Sequence, residues 1–333
     1  MIIDVHSHAI PKEALEGFQN EPFKYGLSLQ EDNDGTKRLV APSGFSFPVY
    51  AGFYDAETRV KDLDARNVDM EIVTPAPNTV FYDLPIEESL PFVRRVNDGI
   101  AALCKQAPDR LIPGGTLPMQ DVPAACAEVE RLVKEHGMHI VLVNTSVNGH
   151  YYDEPQYLPL FEVCERLDVI IFFHPQHNNT SYGLGPYYLT NILGNPVDTT
   201  VSATRLVLGG ALTKYPGCKC LFAHGGGFLP YQRGRLEHGF KVRQEPKVTL
   251  GDAPLAEYID SLYFDTITHS DDAFSFLISS HGADHIMLGS DYPFDMADVR
   301  PAETVLDLPG VTRGEKDDIL CKNIARLIKN LSL

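Results

Sequence analysis

The chain has 333 residues, of which 44% are hydrophobic and 22% are charged, and its formal net charge is −17 at pH 7. This length suits one large domain or two ordinary ones, and the hydrophobic share is enough to build a substantial core. A chain this acidic is a poor candidate for binding the backbone of nucleic acid or an anionic membrane surface, because both require clustered Lys and Arg.

Short runs rich in β-branched and aromatic residues recur along the chain and are predicted to be strands. The eight runs are Ile2–Val5, Glu71–Thr74, Leu111–Gly114, Ile140–Asn144, Val169–Phe173, Lys219–Ala223, Ser261–Asp265 and His285–Gly289. Amphipathic segments lie between most of them, and two of these segments end at Gly137 and Gly282, as is typical of helices. Eight alternating units predict an α/β fold, the (β/α)8 TIM barrel. An open doubly wound sheet is the alternative, although no Gly-x-Gly-x-x-Gly follows the first strand.

Two connections are unusually long, residues 9 to about 55 and residues 175 to about 197. Both leave the C-terminal end of a predicted strand, which is where barrel active sites form. We therefore expect long loop insertions with a functional role after strands 1 and 5. Because no linker or composition shift is visible, we predict a single domain over residues 1–333.

Ionisable side chains stand at the C-terminal ends of four predicted strands. They are His6 and His8 after the first strand, His174 in "VIIFFHP", His224 in "CLFAHGGG" and Asp291 in "IMLGSDYPF". Each one alone has an ordinary explanation as a capping, packing or turn residue. In a parallel barrel, however, all four strand ends meet at the same rim. The convergence of five such residues there predicts a metal site.

The spacing within "DVHSH" refines this prediction. Alternate residues of a strand point to the same face, so Asp4, His6 and His8 share one face. Asp4 lies one pleat deeper and is expected to support the ligands from behind or to pack inside the barrel, rather than to bind the metal. Imidazoles with a carboxylate suit zinc first, with Mn²⁺ or Fe²⁺ as alternatives, and water bound to such an ion loses a proton near neutral pH. His177, on the following loop, is a weaker candidate for substrate contact.

Several longer motifs carry a resemblance to a known family. They are "DVHSHAIPKE", "GTLPMQ", "GNPVDTT", "KCLFAHGGGFLPYQRGRLEHGF", "IMLGSDYPF" and "NIARLI". On these motifs the chain is identified as a member of the amidohydrolase superfamily. Within it, the chain is similar to the branch of metal-dependent, non-oxidative decarboxylases that includes the 2-amino-3-carboxymuconate-6-semialdehyde decarboxylases. The resemblance covers nearly the whole chain.

The resemblance implies a role for each matching residue. The implied metal ligands are His6, His8, His174 and Asp291. It further implies that His224 is the acid/base beside the metal, that Phe294 lines the substrate pocket, and that Arg235 reaches the substrate carboxylate of a neighbouring subunit in a homodimer. Strand four, "HIVLVNTS", has no lysine that could bridge two metals, which favours one metal per subunit.

Two departures from that branch concern the substrate. Related enzymes have an arginine in the loop after strand one that binds a substrate carboxylate, but here no arginine lies between Arg38 and Arg59. The resemblance also implies a tryptophan after the His-Pro of strand five and others nearby, but this chain has none. Here Gln176 follows Pro175, and Tyr187 and Tyr188 occupy the later loop. We therefore expect a different acid as substrate.

The resulting hypothesis is a decarboxylase of a small unsaturated or aromatic carboxylic acid that uses metal-bound water and His224 as acid/base. A metal-dependent hydrolase or hydratase on the same barrel is the main alternative, since a fold does not decide chemistry. A non-catalytic binding protein is a weaker one, because all five site positions are filled. No secretory signal and no apolar run of the roughly 18 residues needed to span a bilayer are visible, so a cytoplasmic location is expected.

Overall fold

A computed structural model describes residues 1–176 and 183–328 of the chain. Its strands are β1 (Ile3–Ala9), β2 (Ser28–Glu31), β3 (Lys37–Val40), β4 (Ser46–Pro48), β5 (Met70–Pro75), β6 (Leu111–Pro113), β7 (Gly115–Thr116), β8 (Ile140–Asn144), β9 (Ile170–His174), β10 (Lys219–Phe222), β11 (Tyr263–Asp265) and β12 (Ile286–Met287). Its α-helices are α1 (Lys12–Asn20), α2 (Ala56–Ala65), α3 (Ile86–Cys104), α4 (Val122–Arg131), α5 (Leu158–Leu167), α6 (Asn195–Leu208), α7 (Ala211–Lys214), α8 (Leu229–Val242), α9 (Leu255–Asp260), α10 (Asp271–His281), α11 (Pro301–Leu306), α12 (Arg313–Asp317) and α13 (Asn323–Leu327).

The parallel strands form a closed barrel. One side runs β1-β5-β6 and the other β7-β8-β9-β10-β11-β12, with β6 and β7 together making the third barrel strand. The barrel closes where the amide of Val5 donates to the carbonyl of Leu288 over 2.8 Å and where Ser7 forms a parallel bridge with Tyr292. The predicted (β/α)8 barrel is confirmed, with a strand at all eight predicted positions.

The first strand is longer than its sequence suggests. It was expected to end at Val5, but β1 continues to Ala9, so His6 and His8 lie inside the strand rather than after it. Pairing with β5 resumes at Ser7 after an irregularity in register. The sequence does not reveal this extension, because "HSH" is polar and resembles the end of a strand. In the structure, however, every residue of β1 is buried.

The long segment after β1 is more ordered than the predicted loop. It contains α1 and a three-stranded antiparallel sheet of order β2-β3-β4, which we call the insert sheet. Tight turns that end at Gly35 and Gly44 join its strands, and both glycines have the positive φ that other residues rarely adopt. The strands have only three or four residues, too few for their alternation to stand out in the sequence.

The second long connection leads into α6 through short helical turns at Pro186–Tyr188 and Thr190–Gly194. The predicted substrate contact of His177 lies outside the described residues. No helix within the described ranges combines the length and the apolar character that crossing a membrane requires. The cytoplasmic location stays a prediction.

Buried ions reinforce the seam between the first and last strands. Arg59, fully buried on α2, donates to Glu71 over 2.7 Å, to the carbonyls of His8 and Gly52 over 2.7 Å each, and to the hydroxyl of Ser7 over 2.8 Å. All of these acceptors are fixed by the strands or by the turn before α2. A buried cation satisfied in this way locks the end of β1 against β5 and α2.

Arg66 extends the same network to the far side of the seam. Its guanidinium lies 3.3 Å from Glu71 and 3.3 Å from Asp4, and it donates to the hydroxyl of Ser290 over 3.0 Å. Asp4 is fully buried and accepts hydrogen bonds from the amides of His6 and Ser290. Burial raises the pKa of Asp4 to about 6, against the opposing effect of Arg66. Asp4 therefore lies inside the barrel, where it supports the backbone of His6 through a hydrogen bond and is absent from the group of side chains that could hold a metal.

The substitution Arg59→Met is expected to destabilise the fold by about 3–5 kcal/mol, because it leaves the buried Glu71 carboxylate with only the longer contact to Arg66 and leaves the carbonyls of His8 and Gly52 without their donor. Urea unfolding followed by circular dichroism measures the change. The control is Lys61→Met on the same helix, whose pair with Glu57 is exposed on both sides and contributes little. Equal stability of Arg59→Met and Lys61→Met would contradict a role of the network in closing the barrel.

Candidate metal centre

Four side chains meet at the C-terminal rim of the barrel. They are His6 and His8 of β1, His174 at the end of β9, and Asp291 beyond β12. All four residues are buried, and one donor atom from each lies within 4.8 Å of the others. We call this group the four-donor cluster. It brings together the four residues predicted as ligands, from opposite sides of the barrel.

The outer ring nitrogen of each histidine is held by an acceptor. Nδ1–H of His6 donates to the carboxylate of Asp265 over 2.7 Å. The corresponding nitrogens of His8 and His174 donate to the carbonyls of Pro75 and Pro175, over 3.1 and 2.7 Å. A carbonyl can only accept, so Nδ1 carries the proton in these two rings and Nε2 keeps a lone pair. This orientation is the one found around protein-bound metals.

The inner atoms of the cluster fit a divalent metal. Nε2 of His6 and Nε2 of His8 lie only 2.9 Å apart, and Oδ1 of Asp291 lies 3.0 Å from Nε2 of His8. Nε2 of His174 and Oδ1 of Asp291 are buried and form no hydrogen bond within the described residues. Burying such atoms unpaired is costly. Three imidazoles and one carboxylate converging in this way match the donor set of a borderline divalent ion.

The charges of the cluster also favour a cation. Burial lowers the pKa of His8 to about 4 and that of His174 well below its ordinary value, so both rings are neutral near pH 7. Burial would lower the pKa of His6 too, but its bonds to Asp265 and Asp291 raise it to about 10. Burial would raise the pKa of Asp291, yet the surrounding histidines hold it well below its ordinary value. The carboxylates thus stay ionised and attract positive charge.

His224 stands beside the cluster without belonging to it. Its Nε2 lies 3.7 Å from Oδ2 of Asp291, whose other oxygen faces His6 and His8. Its ring centroid is 5.1 Å from that of His174. The Asp291 carboxylate therefore lies between the histidines of the cluster and His224, a less buried imidazole.

The turn that presents His224 explains the glycines that follow it. His224 has φ 57° and the next three residues also have positive φ. A Cβ on Gly226 would lie 2.5 Å from the ring of Phe264, and one on Gly227 would lie 2.3 Å from the carbonyl of Pro196. Only glycine fits such positions. The sequence "AHGGG" therefore encodes the tight turn at the end of β10.

Asp265, the last residue of β11, is a site residue that the sequence reasoning missed. Its Oδ2 accepts from Nδ1 of His6 and, over 2.9 Å, from the amide of His224, while Oδ1 accepts from the amide of Gly225 over 2.8 Å. One buried carboxylate thus fixes both a member of the four-donor cluster and the turn that presents His224. The available signal was its position, since Asp265 ends a predicted strand just as His174 does.

Phe294 and Arg235, the two predicted substrate contacts, lie in different surroundings. Phe294 lines a cavity of about 450 Å³ together with His174, His224 and Asp291, and its ring is 5.4 Å from that of His8. A second cavity of about 710 Å³ also reaches His224 and Asp291. Arg235 lines neither cavity and is exposed on α8. Its side chain is therefore directed to the surface of this chain rather than into its own site.

A (β/α)8 barrel with four such donors at its rim defines the class of metal-dependent barrel enzymes. The chain belongs to the amidohydrolase family, whose sequence pattern matches residues 3–329.

Comparison with known proteins identifies similar enzymes. The chain is 29% identical to the 2-amino-3-carboxymuconate-6-semialdehyde decarboxylase of Dictyostelium discoideum, over 96% of this chain and 89% of the relative. It is 27% identical to the gamma-resorcylate decarboxylase of Rhodococcus jostii, over 82% and 87% of the two chains. A dihydroxybenzoic acid decarboxylase from Polaromonas sp. JS666, solved with bound manganese and the inhibitor 2-nitroresorcinol, superposes with a TM-score of 0.81 at 25% identity, covering 98% and 96%.

The substitution Asp265→Asn is expected to weaken divalent metal binding about 10- to 100-fold, because the ring of His6 loses its anionic partner. Competition with a chromophoric chelator measures the affinity, and circular dichroism checks the fold. Asp109→Asn, at an exposed position, removes the same charge and serves as the control. If both variants bind metal like the unmodified protein, Asp265 does not orient His6.

Proposed function

We propose that this protein is a metal-dependent, non-oxidative decarboxylase that releases CO2 from a small unsaturated or aromatic carboxylic acid. The observation that carries the proposal is the position of His224, 3.7 Å from Asp291, beside the four-donor cluster and open to the cavity lined by Phe294. The names of the relatives reported above support it. The proposal treats residues 1–333 as one catalytic domain.

Four residues of this chain would hold the metal ion, one ion per subunit: His6, His8, His174 and Asp291. The ion, when bound, stabilises the negative charge that develops on the substrate as the carbon–carbon bond to the carboxylate breaks. Zinc is the proposed ion because it combines readily with imidazole and carboxylate donors. The manganese bound in the Polaromonas enzyme makes Mn²⁺ the first alternative, ahead of Fe²⁺.

Side chains of this protein deliver the proton and shape the substrate cavity. His224 delivers a proton to the carbon that loses CO2, since it is the imidazole that borders the cavity without joining the cluster. Phe47, Phe53 and Phe294 pack ring against ring along the same wall, with centroids 5.1 to 6.3 Å apart. This wall offers an unsaturated or aromatic substrate an apolar face and keeps water from the reacting carbon. No feature of the described residues favours the hydrolase or hydratase alternative.

Replacement of a proposed ligand should remove the metal, whereas replacement of the proposed acid/base should not. We expect His6→Ala and Asp291→Ala to lose stoichiometric metal and all CO2 release from a panel of aromatic and muconate-type acids. We expect His224→Ala to keep its metal but to lose about 10²- to 10⁴-fold in turnover. Elemental analysis of the purified proteins and a CO2 assay measure the two effects.

His136→Ala is the control for loss of an imidazole, because His136 lies outside the cluster and pairs with the exposed Asp98. Loss of metal from His224→Ala would make His224 a ligand. Full metal in His6→Ala would remove that residue from the proposed site. Ring opening or addition of water without CO2 release, by the unmodified protein, would favour the hydrolase or hydratase alternative.

Arg235 is proposed to complete the site of a second subunit in a homodimer. On α8 it follows Tyr231 by one helical turn, so the two side chains share a face. Tyr231 is 76% exposed and its ring contacts that of Phe276, which is 41% exposed. An exposed aromatic pair next to an exposed arginine is typical of an interface. The arginine would bind a substrate carboxylate through its two-pronged guanidinium.

Complementation between two inactive variants tests this role. His224→Ala and Arg235→Met are each expected to be nearly inactive as homodimers. When they are co-expressed with different tags and isolated as a heterodimer, one site has both His224 and the partner's Arg235, so activity should return. Arg166→Met, which removes an exposed arginine from α5, is the control and should retain activity alone. A heterodimer without activity would mean that Arg235 acts within its own subunit, and an active Arg235→Met homodimer would mean that Arg235 has no role in the reaction.

A further inference from the structure

The motif "GNPVDTT" at residues 194–200 has no role in the metal centre or in the acid/base chemistry described so far. It begins at the residue before α6 and forms the first part of that helix. Asn195 lines both cavities, and Pro196 lines the larger one. Two polar side chains of the motif, Asp198 and Thr200, accept hydrogen bonds from outside the helix. Each bond reaches a different part of the site.

Asp198 connects α6 to the proposed ligand His174. Its carboxylate is buried and accepts a hydrogen bond from the hydroxyl of Thr145, the residue that follows β8. The amide of Thr145 in turn donates to the carbonyl of His174 over 3.2 Å. This bond continues the parallel pairing of β8 with β9, which runs up to Asn144 and His174. A carboxylate on α6 therefore holds the strand end beside the ligand.

Thr200 connects the same helix to the turn that presents His224. Its hydroxyl donates to the carbonyl of Pro196 over 2.6 Å, and the same oxygen accepts from the amide of Phe228 over 2.7 Å. Phe228 directly follows the three glycines of that turn. The close approach of Gly227 to the carbonyl of Pro196 shows that the turn packs against the helix backbone. The hydroxyl of Thr200 therefore fixes the far end of the turn to α6.

The two contacts attach both histidines to one rigid element. Asp198 and Thr200 are two residues apart, which is a rise of about 3 Å along a helix. The ring centroids of His174 and His224 are 5.1 Å apart. Asp265 fixes the near end of the His224 turn, whereas Thr200 fixes its far end. The separation of the two rings therefore depends on α6 as well as on the barrel strands.

We propose that α6 sets the distance between the proposed ligand and the proposed acid/base, with Asp198 and Thr200 as its positioning residues. This inference rests on the proposed decarboxylase function for the roles of His174 and His224. A proton donor has to lie within hydrogen-bond reach of the reacting atom, and a misplacement of about 1 Å can lower the rate about 100-fold. Neither positioning residue lines a cavity, so each acts through the residue that it holds.

Replacement of Thr200 by valine keeps the shape of the side chain but removes the acceptor for the amide of Phe228. We expect Thr200→Val to keep its metal and its KM, and to lose about 10- to 100-fold in kcat for CO2 release. Thr200→Ser, which restores the hydroxyl, should recover most of that loss. Crystal structures of the zinc-loaded proteins give a readout that needs no substrate. In Thr200→Val, the distance from Nε2 of His224 to the ion should change by about 0.5–1 Å.

The link through Asp198 is tested by replacing both of its members. The double variant Asp198→Leu with Thr145→Val exchanges a hydrogen-bonded pair for apolar side chains, which costs less stability than removal of one partner alone. We expect its affinity for divalent metal to fall about tenfold, because the strand end beside His174 loses its contact with α6. Competition with a chromophoric chelator measures the affinity. Asp198→Asn, which keeps an acceptor, should stay close to the unmodified protein.

Thr213→Val and Asp109→Leu are the controls, because they remove the same groups from exposed positions outside the site. Both should match the unmodified protein in every measurement. Thermal unfolding shows whether each variant is folded, and Thr145→Val alone provides a second measurement should the double variant unfold.

Two results would overturn the proposal. One is a folded Thr200→Val in which kcat, or the distance from His224 to the ion, is unchanged. The other is a folded double variant, or Thr145→Val in its place, that binds metal like the unmodified protein. Failure of the decarboxylase function looks different: no acid in the panel releases CO2, yet the distance and the metal affinity change as expected. That outcome supports α6 as the positioning element and rejects only the reaction.

Discussion

The structure depends on buried charge at the seam where the barrel closes. Arg59 of α2 and Arg66, the residue that follows α2, meet the carboxylates of Glu71 and Asp4 in a buried region. Because each buried ion is stable only with its partners in place, the helix, the first two barrel strands and the segment after the last strand must assemble together. Ser290 belongs to the same network and immediately precedes Asp291. The buried charges therefore hold together the strand that carries His6 and His8 and the segment that carries Asp291.

That constraint makes the rim rigid before any ligand is present. The inner nitrogens of the histidines point inward because their outer nitrogens are bound to acceptors in the strand ends. Asp265 adds a link between the cluster and the turn of His224, so the candidate acid/base cannot move independently of the metal position. A preorganised site of this kind spends little free energy on rearrangement during the reaction. The substrate-facing wall, in contrast, comes from segments outside the barrel ladder.

Much of this arrangement was predictable from the sequence, and the exceptions have physical reasons. The eight strands are predictable because each is a short apolar run. His174 and Asp291 are predictable as site residues because each is an ionisable residue at the end of such a run. Asp265 also ends such a run, but a carboxylate that serves a ligand rather than a metal has no pattern of its own. Arg59 looks like one more charge on an amphipathic helix, since burial of a cation depends on partners far away in the chain. The insert sheet escaped prediction because its strands are too short for alternation to be visible.

The insert sheet forms part of the cavity wall but is separate from the barrel that holds the metal donors. Its ladder bonds join only neighbouring segments of residues 28–48, and none of its backbone pairs belongs to the barrel. A substitution at Arg38, Phe45 or Phe47 can therefore change the cavity wall while the donors of the metal keep their positions. During evolution, the protein can therefore change from one acid substrate to another through variants that all stay folded and keep their metal. A scaffold built in this way can exchange substrates while it retains one chemistry.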